Sequence, residues 1–361
     1  MRVGLVIYGD LNTVSGGYLY DRKLVEHLRK HGHHVQVFSQ EPRTSAGNLL
    51  ANFSRHLDES ILDARLDVLL QDELNHSSLI GLNRRLRGRF SGPVISIVHH
   101  LRCSEDYSAW QRAIYRQLER TYLRSVDGFV FNGETTKSVV HSVVGESEPS
   151  VVAVPAGDRF AVEITDDEIR ERSRQTNPLH MVFLGNVIRR KGLHTVLTAL
   201  ASMPHDQWEL SVIGRLDVDE DYVQEMRTQI RRSGIFENVT MYGALPDREI
   251  ARLLRSGHVL AVPSSYEGYG IAYLEGMAFG LPAIATTSGA AHEIISHQEN
   301  GWLIEPGDAG ALRSILSTVR QEPEQLAVLG IAARHRFLRQ PGWEDSMCRV
   351  RSFLQEMTGD G

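Results

Sequence analysis

Residues 263–275 read Pro-Ser-Ser-Tyr-Glu-Gly-Tyr-Gly-Ile-Ala-Tyr-Leu-Glu, with two carboxylates, Glu267 and Glu275, eight positions apart. Just upstream, Val259 to Val262 form an apolar run that predicts a buried strand ending at Pro263. Gly268, Tyr269 and Gly270 then make a loop that leads directly into a helix from about Ile271 to Phe279, stopped by Gly280 and Pro282. Glycines at a strand-to-helix turn let backbone amides approach a ligand, and the helix N-terminus adds positive partial charge. Such a turn suits a phosphate. Glu275, inside the helix, is placed to accept hydrogen bonds from neighbouring hydroxyls such as those of a ribose, and Glu267 to reach the ligand's opposite end. Hydroxyls at both ends with phosphate between them describe a nucleotide-sugar.

The rest of the chain repeats this strand–loop–helix plan. Strands are predicted at Val3–Tyr8, Val35–Phe38, Val68–Leu70, Val94–Val98, Gly128–Phe131 and Val151–Val154, separated by helix-length stretches. From Gly157 to Pro178 the pattern gives way to a polar, charged segment, read as a linker, in which Thr165 to Glu168 fit a capping box. A second series then follows at His180–Leu184, Leu210–Ile213, Val239–Tyr242, Val259–Val262, Ala283–Ala285 and Trp302–Ile304, with a helix over about Leu193–Ala201. Strands alternating with helices predict parallel sheets, and in such sheets ligands bind at the carboxyl ends of strands. The expectation is an α/β protein with domains at 1–160 and 178–340 and a binding cleft between them. Trp343 to Met357 carries apolar residues at helical spacing, Met347, Val350, Phe353 and Leu354.

At 361 residues the chain is long enough for two ordinary domains, and its 42% apolar and 23% charged content is that of a globular protein. A net charge of −6 argues against nucleic acid as a partner. Cys103 and Cys348 are too few for a disulfide framework or a metal cluster. Val3–Tyr8 is too short for a signal-peptide core, and no apolar run reaches the ~18–20 residues that span a bilayer. These features predict a soluble, cytoplasmic protein.

The stretch PSSYEGYGIAYLEGMAFGLPAIA, with Glu267 and Glu275 in it, closely resembles the donor-site signature of the family-4 retaining glycosyltransferases, which have the GT-B fold of two Rossmann-like domains facing each other across a cleft. The resemblance covers nearly the whole chain and is densest at 180–192 and 259–290. It implies that the terminal helix, about 341–361, crosses back to the first domain.

Gly185 to Gly192 follows the first strand of the second half and contains Arg189, Arg190 and Lys191. A cationic loop bounded by glycines ahead of a helix is what a diphosphate leaving group needs. In the family an arginine follows the first glycine directly, where this chain has Asn186, which leaves Arg189 and Arg190 as the candidates for that charge. Lys191 matches the family lysine by position. Ser15-Gly16-Gly17 resembles the family's first-domain glycine loop, where backbone amides approach donor phosphates or acceptor. The family also places a histidine near the transferred sugar; His99 aligns best, with His100 next to it. Ser288 to Ala291 resembles, loosely, a loop that contacts the sugar.

Three features fit solvent-exposed structure better than chemistry. Asp217-Val218-Asp219 looks like a metal-binding Asp-x-Asp but sits among Glu220 and Asp221. His31, His33 and His34 straddle a helix end and a strand, so they point different ways. Arg84, Arg85, Arg87 and Arg89 form a basic patch that offers at most a weak contact with an anionic membrane surface.

The resemblance thus implies a metal-independent, retaining hexosyltransferase that moves a sugar from a nucleoside-diphosphate donor, UDP favoured, to a hydroxyl on a glycan, lipid or small metabolite. Lys191, Glu267 and His99 are the implied catalytic residues. Gly16, Gly17, Asn186, Arg189, Arg190, Gly268, Tyr269, Gly270 and Glu275 join them at the donor. Two other classes stay open: a nucleotide-sugar epimerase of GT-B fold, and a non-catalytic nucleotide-sugar-binding protein, the latter because of Asn186.

Overall fold

The strands that the apolar runs predict all form, in two six-stranded parallel sheets. The computed structural model describes residues 1–13, 15–41, 56–146 and 148–359. In the first sheet they are β1 (Arg2–Tyr8), β2 (His34–Gln40), β3 (Val68–Asp72), β4 (Val94–Val98), β5 (Gly128–Phe131) and β6 (Ser150–Val152), in the spatial order β2-β1-β3-β4-β5-β6. The second holds β7 (Leu179–Leu184), β8 (Trp208–Ile213), β9 (Val239–Gly243), β10 (Val259–Ala261), β11 (Ala283–Thr286) and β12 (Gly301–Ile304), in the order β12-β11-β10-β7-β8-β9. Central strands such as β3 and β4 are buried along their whole length, since helices cover both faces. The edge strands β2 and β9 carry exposed residues among the buried and half-buried ones.

Each sheet reverses its strand order once, between β1 and β3 in the first and between β7 and β10 in the second. At such a reversal the connections leave in opposite directions and open a crevice beyond the carboxyl ends of the strands. Those are the places where the loops of interest leave: Gly9 to Ser15 after β1, Gly185 to Gly192 after β7, and Val262 to Gly270 after β10. Val14, within the first of these loops, lies outside the described residues.

The chain divides into two compact units, Met1–Pro155 with Pro341–Gly361, and Ala156–Gln340. The segment read as a linker, 157–178, is part of the second unit. Its helix Asp166–Ser173, opened by the Thr165–Glu168 capping box, buries Ile169 against Gly280 and Gly330. Arg172 from that helix donates to the carbonyls of Phe279 (2.9 Å) and Gly280 (2.8 Å), and Arg334 to that of Ala278 (2.8 Å). Two guanidiniums thereby satisfy the unpaired carbonyl end of helix Ile271–Ala278 and complement its negative pole. The helix that carries Glu275 is therefore fixed at its C-terminus by a segment whose polar composition disguised its packing.

The last helix, Trp343–Thr358, lies in the first unit. Trp343 meets Tyr20 edge-on, 5.8 Å between ring centroids, and the Ser346 hydroxyl donates to the carbonyl of Val154 at 2.6 Å. No helix among the described residues is long and apolar enough to cross a membrane. The basic patch on helix His76–Leu86 and beyond is partly spent inside the fold, because Arg85 pairs with the buried carboxylate of Asp58 at 2.9 Å.

Candidate functional site

In the second unit the loops after β7 and β10 are stitched together backbone to backbone. Ser265 N–H donates to the Arg190 carbonyl at 2.8 Å, and the Arg190 guanidinium donates to the Tyr266 carbonyl at 2.7 Å. Gly192, at φ 77°, packs so closely on the Pro263 carbonyl that a Cβ there would collide with it. This stitching fixes Lys191 beside Glu267: Nζ lies 2.6 Å from Oε2, and Ser264 Oγ donates to the same oxygen at 3.0 Å. Arg190 stands 3.8 Å from the other carboxylate oxygen.

Both members of the pair are largely withdrawn from water, with side chains 15% and 13% exposed. Burial opposes the charge on Glu267, but Lys191, Arg190 and the Ser264 hydrogen bond hold its pKa down at about 2. Lys191 is pulled below its ordinary value, first by burial and also by Arg190, with Glu267 acting against both. Lys191, Arg190 and ionised Glu267 together carry one net positive charge, beside the amide-lined turn at Gly268–Gly270. Gly270, at φ 112°, is the N-cap of helix Ile271–Ala278, and Tyr269 is buried with its hydroxyl accepting from Gln340 at 2.8 Å.

Glu267, read from the sequence as reaching the end of the ligand opposite Glu275, is the ion-pair partner of Lys191. Arg189 does not join the cluster. Its guanidinium pairs with Glu225 and lies over the Tyr222 ring at 5.0 Å, on the exposed side of the loop. Of the two arginines left open by Asn186, Arg190 is therefore the one brought to Lys191. Asn186 itself is half-buried just after β7, and its carbonyl accepts from Ile188 N–H at 2.9 Å. The loop of Ser288 to Ala291 adjoins the same cluster: Ala290 N–H donates to the Glu267 carbonyl at 2.8 Å, and Gly289 sits too close to that carbonyl for any side chain.

Glu275 lies one helix turn in, only 6% exposed, and accepts from Arg159 at 3.4 Å. Burial raises its pKa to about 7 even with the Arg159 charge beside it. Arg159 is held in turn by Asp247 at 2.5 Å. Neither Arg159 nor Asp247 was singled out by the sequence, which gives no local sign of a partner more than a hundred residues away.

The first unit builds its own polar cluster at the carboxyl edge of its sheet. Gly16 and Gly17 open helix Gly16–Lys30, with Ser15 as its N-cap. A Cβ on Gly17 would meet the His99 ring at 3.1 Å, so the glycine lets this ring approach the helix. His99 Nε2 is 3.3 Å from Asp21 Oδ1, its ring is edge-on to Tyr20 at 5.3 Å, and its backbone carbonyl accepts from Asn132 at 2.7 Å. Burial disfavours the imidazolium, yet the hydrogen bond and charge of Asp21, with Asp72 behind it, lift the His99 pKa to about 9. Asp72, buried and facing Asp21, is pushed up to about 8. Asp21 was missed, although a carboxylate among Leu24, Val25 and Leu28 on a buried helix stripe is a sequence-level signal. His100 turns to Glu105 at 2.7 Å. Asp217 pairs with Arg215, and Asp219 caps helix Glu220–Arg232.

Residues 165–336 match the family model described as glycosyl transferases group 1. A GDP-mannose-dependent alpha-(1-6)-phosphatidylinositol monomannoside mannosyltransferase of Mycolicibacterium smegmatis is 27% identical over 255 residues, 65% of each chain. The chain spans less than two thirds of the length of the first curated relatives it matches. Among solved structures, sucrose-phosphate synthase from Thermosynechococcus elongatus superposes with a TM-score of 0.80 over the whole of both chains at 21% identity. HepE of Anabaena, solved in complex with UDP, gives 0.75 over 99% of this chain and all of its own at 19% identity. The chain thus has the GT-B fold, two Rossmann-like units, and its match to the group 1 glycosyltransferase model lies within the second of them.

Proposed function

We propose that this protein is a retaining glycosyltransferase that moves a sugar from a nucleoside-diphosphate donor to an acceptor hydroxyl. The observation that carries the reading is the buried Lys191–Glu267 pair with Arg190, held between the two loops that flank the strand-order reversal of the second sheet. A diphosphate placed there meets Lys191, Arg190 and the amides of the glycine turn. These groups stabilise the negative charge that grows on the departing diphosphate, which is where such preorganised donors act most strongly. Glu275, with Arg159 behind it, is assigned to the ribose hydroxyls. Glu267 orients Lys191 and is assigned the sugar hydroxyls with its remaining acceptor capacity. In the first unit, Gly16, Gly17 and His99 are assigned to phosphate and sugar contacts.

Glu267, tied to Lys191 and Ser264, is assigned no part as a covalent nucleophile. The proposed course is attack of the acceptor oxygen on the anomeric carbon from the leaving-group face, with a donor phosphate oxygen taking the acceptor's proton. No metal is assigned to the donor. For the base, UDP is favoured by HepE, whose complex with UDP matches the full chain, while the mannosyltransferase makes GDP-mannose the second candidate. A thermal-shift and calorimetric panel of UDP, GDP, ADP and their sugars tests this. Selective stabilisation by one nucleoside diphosphate supports the reading, and stabilisation by none contradicts it.

A further inference from the structure

The first helix bears a histidine pair at its far end from Gly17. His27 and His31 are four residues apart on one face of helix Gly16–Lys30 and its C-cap, with ring centroids 4.1 Å apart. Glu344, in the first turn of the last helix, reaches both: Oε1 is 3.5 Å from His27 Nδ1 and 3.5 Å from His31 Nε2. One ligand atom of each residue lies within 4.8 Å of the other two. His27 is 4% exposed, and neither of its ring nitrogens has a hydrogen-bond partner. His31 Nδ1 is 2.9 Å from the His27 carbonyl; donating to it makes Nε2 the bare nitrogen that faces Glu344. That is the arrangement in which metal-binding histidines are held, one ring N–H on a carbonyl and the other nitrogen free.

We propose that His27, His31 and Glu344 form a binding site for one divalent transition-metal ion of the zinc class, which clasps the last helix to the first. Two imidazoles and a carboxylate are a zinc donor set, and a tetrahedral ion with bonds of about 2.0–2.2 Å needs donor atoms roughly 3.4 Å apart. The two 3.5 Å spacings from Glu344 meet that need, and the two histidine nitrogens lie within 4.8 Å of each other. His31 and Glu344 are open to solvent, so water completes the shell. Lys30, 3.1 Å from Glu344 Oε2, occupies the other carboxylate oxygen and competes with the ion. Hard cations such as Mg²⁺ and Ca²⁺ prefer all-oxygen shells and are excluded by two imidazoles.

The test is calorimetric titration of the full-length, EDTA-stripped protein with Zn²⁺, paired with the visible spectrum of the Co²⁺-loaded protein. Wild type is expected to bind one equivalent with a dissociation constant of about 10 μM or tighter, to show the intense absorption of tetrahedral cobalt, and to gain melting temperature with Zn²⁺ but not Mg²⁺. His31→Gln and Glu344→Gln, both at solvent-accessible positions, should each weaken that equivalent at least about tenfold and abolish the gain. Lys30→Gln should tighten it. An unchanged titration in both His31→Gln and Glu344→Gln, or no equivalent tighter than about 1 mM in wild type, overturns the proposal.

Discussion

Lys191 Nζ and Glu267 Oε2 are 2.6 Å apart, although 76 residues separate them in the chain. The contact joins the loop after β7 to the loop after β10, at the reversal of the second sheet, and it sets the charge state of both groups. A buried lysine loses its proton easily, and an adjacent carboxylate keeps it charged. Glu267 thus maintains the cation that a diphosphate requires.

Lys191→Ala is expected to lower turnover by about 10²–10³, the usual cost of losing one donor to developing negative charge. Its neighbours should separate cleanly. Arg190→Ala removes a guanidinium inside the cluster and should weaken nucleoside-diphosphate binding about tenfold or more. Arg189→Ala removes a surface pair with Glu225 and should change binding less than about twofold. Steady-state kinetics and calorimetry on the folded variants check both; equal effects from the two arginines would contradict the placement of Arg190.

The assignment of Glu275 to the ribose makes binding depend on pH. Its pKa of about 7 predicts that the carboxylate protonates as pH falls from 8 to 6, losing acceptor capacity, so nucleotide affinity should fall over that range. The sign for stability is opposite. The folded state holds a proton that the unfolded chain releases near pH 4.5, so this residue's contribution to stability is lost as pH rises from about 4.5 through 7. Glu275→Gln should therefore flatten both profiles, and melting curves between pH 5 and 8 that keep the wild-type slope in this variant would refute the assignment.

The first-unit cluster makes a complementary prediction. His99 has its pKa raised to about 9 by Asp21, which outweighs burial, so its stabilising pair is complete below about pH 6.5 and is lost as pH rises through 9. Asp21→Asn should bring the His99 pKa down from about 9, read from its imidazole resonances in an NMR titration. An unshifted resonance would mean that Asp21 does not hold the ring.

Much of this was legible in the sequence. Apolar runs of three to six residues located every strand, because strands covered on both faces must be apolar throughout. The spacing of Glu267 and Glu275 and the cationic loop before Gly192 located the two halves of the candidate site. Three things were not legible. Helix Asp166–Ser173 is polar on most of its surface and packs through the buried Ile169 and Ser173 and the carbonyl contacts of Arg172. Arg159 and Asp247 reach Glu275 only through tertiary folding. His31, His33 and His34 are close in sequence but straddle a helix end, whereas the helical period couples His31 to His27.

Donor turnover should persist when divalent metal is chelated, since Lys191, Arg190 and the glycine-turn amides provide the charge. EDTA at millimolar excess should change only the melting temperature, through the site proposed at His27, His31 and Glu344. Loss of activity that returns with Mg²⁺ or Mn²⁺ would instead assign a metal to the diphosphate.

The most direct test is the anomeric configuration of the sugar released or transferred from an α-linked nucleoside-diphosphate sugar, followed by ¹H NMR at early times before mutarotation. Appearance of the α-linked product with free nucleoside diphosphate, abolished in Lys191→Ala, is the predicted result. A β-linked product, or a changed sugar still attached to its nucleotide, would contradict it.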